Sequence, residues 1–118
     1  MATFSKQLLS GSTNGKQIKV AATATAGTTI HTAHATDLDE IWIYAVNSSA
    51  SSVKLTIEYG EATAPDGNIE LTVTAESGLV LLIPGLLIKG NATPLVVKAF
   101  AGTSNVICLH GYVNQITV

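Results

Sequence analysis

Hydrophobic and polar residues alternate with a period of two through much of this chain. The clearest case is SVKLTIEYG, where Val53, Leu55, Ile57 and Tyr59 fall on one side of an extended backbone and Lys54, Thr56 and Glu58 on the other. That pattern predicts a strand with one face in a core and one in water. NIELTVT repeats it with Ile69, Leu71 and Val73 inward and Glu70 and Thr72 outward, and the Pro65-Asp66-Gly67 turn signal between the two runs predicts that they pair through a loop. No segment accumulates helix formers at a 3.6-residue period. Alternating, β-branched runs bounded by Gly, Pro, Asn, Asp and Ser predict strands near 18–25, 28–35, 39–47, 52–59, 69–74, 79–83, 86–88, 95–101 and 106–114.

Three runs are apolar on both sides. In DEIWIYAVN, Ile41, Ile43 and Ala45 share one face while Trp42, Tyr44 and Val46 share the other; GLVLLIPG and, in part, NVICLHGYVN behave alike. A strand of a sandwich needs only one greasy face, so the second is expected to be covered by a loop of the same chain or by a neighbouring subunit. The stretch GLVLLIPGLLIKGN is the most apolar of all. Its unbroken part is five residues, Leu79 to Ile83, before Pro84-Gly85 intervenes. A membrane-spanning helix needs roughly 20 apolar residues, so two short strands flanking a bend are expected and no membrane partner.

At 118 residues one domain is expected. Hydrophobic residues make up 47 % and charged residues only 12 %, the latter about half of the usual ~25 %. A surface so poor in charge favours a subunit whose exterior is partly covered, that is, a homo-oligomer. The net charge is −2, and the six cations, all Lys, are scattered with no Arg. Direct nucleic-acid binding, which needs clustered cations and favours Arg for reading bases, is not expected.

Candidate chemistry is thin. The lone Cys108 offers no intramolecular disulfide and no cysteine-based zinc site. His31 and His34, three apart on a strand, would face opposite sides of the sheet, so they are expected to be surface histidines and not ligands of one ion. His110, two residues from Cys108, makes no Cys/His dyad by spacing alone. Asp37, Asp39 and Glu40 could offer oxygen ligands to a hard cation, but they lack EF-hand spacing and are expected to form a solvated loop ahead of a strand. No catalytic constellation, metal site or cofactor is expected, and the chain reads as a non-enzyme. A sugar-binding platform would need exposed aromatics, and with Tyr59 on a core face and Trp42 inside an apolar strand few remain. The sequons at Asn47 and Asn91 read as chance matches, because the N-terminal stretch lacks the apolar core of a secretory signal.

Residues 1–15, MATFSKQLLSGSTNG, show no strand-like alternation but carry the apolar residues Phe4, Leu8 and Leu9. They are expected to form an extended arm that docks those residues on a partner, the alternative being a frayed terminus. The expected architecture is therefore all-β: an arm (1–15) followed by a single-domain, jelly-roll-like antiparallel β-sandwich (16–118).

Taken in order, GTTIHTA, DEIWIYAVN, SVKLTIEYGEATAPD, LVLLIPGLLIKG, LVVKAFA and NVICLHGYVN make this chain similar to small all-β virion proteins of tailed bacteriophages, and it resembles capsid decoration (cement) proteins. The resemblance implies β-sandwich subunits, often trimeric, seated over junctions of the major capsid protein and clamping the expanded shell. It implies a virion location after synthesis in a host cytoplasm. Neck, tail or fibre subunits are the nearest alternative, and a carbohydrate-binding β-sandwich module the alternative of another class. The resemblance assigns no residues. From patterning alone, Trp42, Tyr44, Val46, Leu79, Leu81, Ile83 and Leu86 are expected at a subunit interface, and Phe4, Leu8 and Leu9 against the capsid.

Overall fold

The computed structural model describes residues 3–89, Thr93 and 95–117; the Asn91 sequon lies outside them. The described residues form nine strands: β1 (Thr3–Leu8), β2 (Ile18–Lys19), β3 (Thr28–Thr32), β4 (Leu38–Asn47), β5 (Val53–Tyr59), β6 (Asn68–Val73), β7 (Leu79–Lys89), β8 (Val96–Ala101) and β9 (Ile107–Thr117). Two antiparallel sheets pack as a sandwich. The first has the order β1-β9-β4-β7, with β2 following β1 along the same edge of β9; the second has the order β3-β8-β5-β6. The all-β, two-sheet architecture is the one the alternation predicts.

The core lies between the sheets. Ile41, Ile43 and Ala45 of β4 and Ile107, Leu109 and Val113 of β9 face Leu55 and Ile57 of β5 and Val97 and Ala99 of β8, all buried. Each large aliphatic side chain so enclosed contributes about 1.5–3 kcal/mol relative to exposure. The Pro65-Asp66-Gly67 turn joins β5 to β6, which pair in register from Val53↔Val73 to Glu58↔Asn68.

Four features differ from the sequence pattern. First, Thr3–Leu8 is a strand, paired with the C-terminal half of β9 from Thr3↔Thr117 to Leu8↔Tyr112. It overhangs the sandwich, so all six of its residues are exposed and no burial pattern marks it. Leu9, immediately after it, turns into the core at 1 % exposure and is not free to dock elsewhere.

Second, Pro84-Gly85 does not divide two strands. β7 runs unbroken through it as an edge strand, with two extra residues relative to β4: Gly85 between the pairs Ile41↔Leu86 and Trp42↔Pro84, and Leu82 between Ile43↔Ile83 and Tyr44↔Leu81. A left-handed glycine (φ +79°) is what a bulge of this kind requires, and an edge strand tolerates the missing N–H of Pro84.

Third, of the run 18–25 only Ile18–Lys19 is a strand. The following segment crosses the outer side of the second sheet and meets Glu58: the Thr25 hydroxyl and the Gly27 N–H donate to its two carboxylate oxygens at 2.8 and 2.7 Å. Fourth, and in consequence, Thr56 and Glu58 are buried although they point away from the core. Elsewhere that outer side is mixed: Lys54 and Glu70 pair at 3.0 Å, while Val96 and Phe100 of β8 lie partly exposed beside them.

Candidate functional site

None of the described residues covers the outer side of the first sheet. Register places Leu38, Glu40, Trp42, Tyr44 and Val46 of β4 beside Ile116, Asn114, Tyr112, His110 and Cys108 of β9, all on the face opposite the core and all partly exposed. β7 extends the face with Leu79, Leu81 and Leu87, exposed by 56 %, 45 % and 54 %. On the other margin β1 adds Phe4 and Leu8, exposed by 70 % and 53 %. One side of the molecule is thus a broad apolar surface in contact with water.

Its centre is organised. The rings of Trp42 and Tyr112, directly opposite each other across β4 and β9, are stacked with centroids 6.1 Å apart and planes 9° from parallel. Lys6 places its ammonium 4.9 Å from the Tyr112 ring centroid, a cation–π contact. Glu40 is the one carboxylate on the face among the described residues, and its Oε1 accepts from the Trp42 indole N–H at 2.8 Å and from the Asn114 amide at 2.9 Å. Those bonds, the one from Trp42 foremost, hold its carboxyl below the ordinary range. Beside the stack is a shallow apolar depression of about 150 Å³, lined by Tyr44, Leu79, His110, Gly111 and Tyr112.

Of the expected interface residues, Trp42, Tyr44, Val46, Leu79 and Leu81 lie together on this face. Leu86 follows the bulge at the sheet margin, 42 % exposed, its carbonyl accepting the Tyr59 hydroxyl at 3.0 Å. Ile83 does not belong: it is opposite Ile43, 1 % exposed, because the Leu82 bulge turns it into the core. Phe4 and Leu8 join the same face by strand pairing, whereas Leu9 does not. Tyr112 belongs to the site without having been singled out. Its alternation was legible, but its pairing with Trp42 depends on a long-range register that local sequence does not show.

Of the residues weighed for chemistry, the structure joins His31 to Asp39 and leaves Glu40, Cys108 and His110 on the opposite side of the sheet. His31 is not at the surface; it is 5 % exposed, because a bulge in β3 between Thr29 and His31 turns both Ile30 and His31 inward. Its Nδ1 accepts the Ser10 backbone N–H at 3.0 Å, so the proton is on Nε2, which donates to Asp39 Oδ2 at 2.7 Å. Asp39 is not in a solvated loop either: it is fully buried on β4, and also accepts the His34 backbone N–H at 3.2 Å and the Gln115 amide at 3.4 Å.

Both imidazole nitrogens of His31 are therefore engaged. The dyad ties the segment after β1 to β3, together with Thr32 N–H to the Ser10 hydroxyl and Gly11 N–H to the Ile30 carbonyl. It presents no free base to a substrate. His34 faces away, its Nδ1 accepting from the N–H groups of Thr36 and Asp37. Glu40 points to the opposite side of the sheet from Asp39, so the acidic triplet does not converge. Among the described residues, no three His, Cys, Asp or Glu side chains gather as a metal site. No helix of the described residues is long and apolar enough to cross a membrane. The Asn47 amide is buried and holds its own turn, donating to the Ser51 and Val73 carbonyls at 2.9 and 3.0 Å.

Comparison with models of protein families, with curated proteins and with solved structures returns no match for this chain.

Proposed function

We propose that this chain is a virion structural protein, a capsid decoration subunit that binds the major capsid protein lattice of a tailed-phage head and stabilises the shell. The observation that carries the reading is the uncovered apolar face of the β1-β9-β4-β7 sheet. Exposed Leu79, Leu81, Leu87, Leu8 and Phe4 surround a Trp42–Tyr112 stack whose only carboxylate is already satisfied. A surface of this kind is costly to leave in water and is characteristic of assembly interfaces, which are rich in aromatics and poor in uncompensated charge. The likeness of the segment order to that of cement proteins supports the choice of a phage head as the assembly. A decoration subunit needs no catalytic group; many modest contacts repeated over a lattice add up through multivalency.

A neck, tail or fibre subunit would use the same face in a ring or fibre. A carbohydrate module is less well served, because sugar stacking needs free ring faces. Here Trp42 lies against Gly85 and Tyr112, and Tyr112 is flanked by Lys6.

Quantitative mass spectrometry of purified particles of the encoding virus tests the reading. A decoration protein is present in hundreds of copies, and heads lacking it release their genome at a lower temperature. A handful of copies assigns it to the neck or tail; absence from the particle overturns the proposal.

A further inference from the structure

We infer that a second copy of this chain occupies the outer face, locked by the Phe4 ring of each copy seated in the depression between Tyr44, Leu79, His110 and Tyr112 of the other. The inference rests on the reading of this face as an assembly surface and names the partner.

Size and position argue for the lock. Among the described residues Phe4 is the most exposed of the large hydrophobic side chains at 70 %, on a strand whose six residues are all exposed. The depression, about 150 Å³, has apolar walls. A space of that volume accommodates a benzene-sized group. Phe4 cannot fill its own depression: it pairs with Ile116, whereas the depression lies at His110–Tyr112, roughly 14–20 Å back along β9 at ~3.4 Å per residue.

Charge placement permits the face to meet its own image. Its lysines, Lys6, Lys19 and Lys89, all stand on the marginal strands β1, β2 and β7. The central strands β9 and β4 carry Glu40 as their only outward side-chain carboxylate, its Oε1 hydrogen-bonded by the Trp42 indole and the Asn114 amide. The lysines are therefore kept off the centre, and the carboxylate there brings two hydrogen-bond donors of its own. Area is of the right order as well: four strands at ~4.8 Å spacing and nine residues of ~3.4 Å give roughly 600 Å² in projection. Side-chain relief brings this close to the roughly 800 Å² per partner of stable complexes.

Because knob and hole share one flat face, a single partner engages both, and the contact closes as a two-fold pair with each insertion made twice. This differs from the trimer that the resemblance implies. Cys108 supplies a native reporter: it lies opposite Val46, which pairs with Leu79 at the wall of the depression, so the partner's Phe4 would sit beside it.

Sedimentation equilibrium on the wild-type chain and on Phe4→Ala, with mild oxidation of Phe4→Cys, tests the lock. Two copies per particle are expected. Phe4→Ala should weaken the pair about 100-fold, two buried rings being lost, while its thermal melt as a dilute monomer is unchanged. Oxidised Phe4→Cys should yield a dimer joined from position 4 of one copy to Cys108 of the other, located by peptide mapping. An assembly insensitive to Phe4→Ala, with no such cross-link, overturns the lock and leaves the assembly reading standing. A wild-type chain that stays monomeric at hundreds of micromolar overturns self-pairing altogether, and the copy number per particle then decides the decoration reading by itself.

Discussion

The indole of Trp42 rests on Gly85 so closely that a β-carbon added to the glycine would stand 2.9 Å from Cζ2. Gly85 also has φ +79°, a conformation that costs side-chain-bearing residues about 1–2 kcal/mol. Gly85→Ala therefore meets strain and a displaced ring together. A loss of about 2–3 kcal/mol in urea denaturation is expected. Trp42 is the only tryptophan, so the displacement would appear as a change in emission maximum. Unchanged stability and emission would show that the bulge does not seat the indole.

Leu9 and Phe4, five residues apart, should respond oppositely. Leu9 is 1 % exposed and Phe4 70 %. Leu9→Ala is expected to cost about 2–5 kcal/mol through lost burial and the cavity left behind. Phe4→Ala should change monomer stability by less than about 0.5 kcal/mol. Thermal melts of both variants, at concentrations too low for association, check the contrast.

The buried His31–Asp39 pair predicts an asymmetry between two substitutions. Asp39→Ala leaves His31 Nε2–H and the His34 N–H without an acceptor in the core, a loss of about 3–5 kcal/mol. Asp39→Asn keeps an acceptor oxygen and should cost clearly less. Hydrogen exchange at Ser10 and Thr32 should accelerate in the alanine variant first, because the dyad holds that crossing. Equal costs for the two substitutions would refute a hydrogen-bonding role for the carboxylate.

Tyr59 predicts an alkaline limit to stability. Burial, reinforced by the negative charge of Asp39, pushes its phenol from 10.0 up to about 12. Below pH ~10 the ring is neutral whether the chain is folded or not, so the full stability is present. Between about 10 and 12 the unfolded chain ionises while the folded one keeps its proton, and stability falls. Discounting for screening of a half-buried ring, the drop is on the order of 1–2 kcal/mol. Tyr59→Phe should remove this step from the stability–pH curve, while losing the bond to the Leu86 carbonyl at every lower pH.

Much of the sandwich was legible because burial on one side imposes alternation. β5 and β6 read directly, and β4 declared two apolar faces. The misreadings share a cause: local irregularity that alternation does not encode. Pro84-Gly85 carries the same signature in a turn and in an edge-strand bulge, and only pairing with β4 separates them. The bulge at Ile30 hides His31 in the same way. The alternating segment after Lys19 looks like strand, yet the carboxylate of Glu58 draws its N–H and hydroxyl groups over the second sheet. β1 is invisible for the opposite reason, since a strand wet on both sides has no pattern to show.

The candidate face was legible in its ingredients but not in its arrangement. Trp42, Tyr44, Leu79 and Leu81 announced themselves as surplus apolar positions. Their union with Tyr112 and Phe4 arises from β9, which pairs with β4 on one side and β1 on the other. Long-range pairing of this sort leaves no trace in any short window of sequence.

The crossing of residues 20–27 over Glu58 has a further consequence. It roofs Glu58 with the chain's own backbone, while Val96 and Phe100 of β8 stay partly exposed on the same side. A pair closed through the first sheet would keep this second side outward, and it is there that a lattice would have to be met.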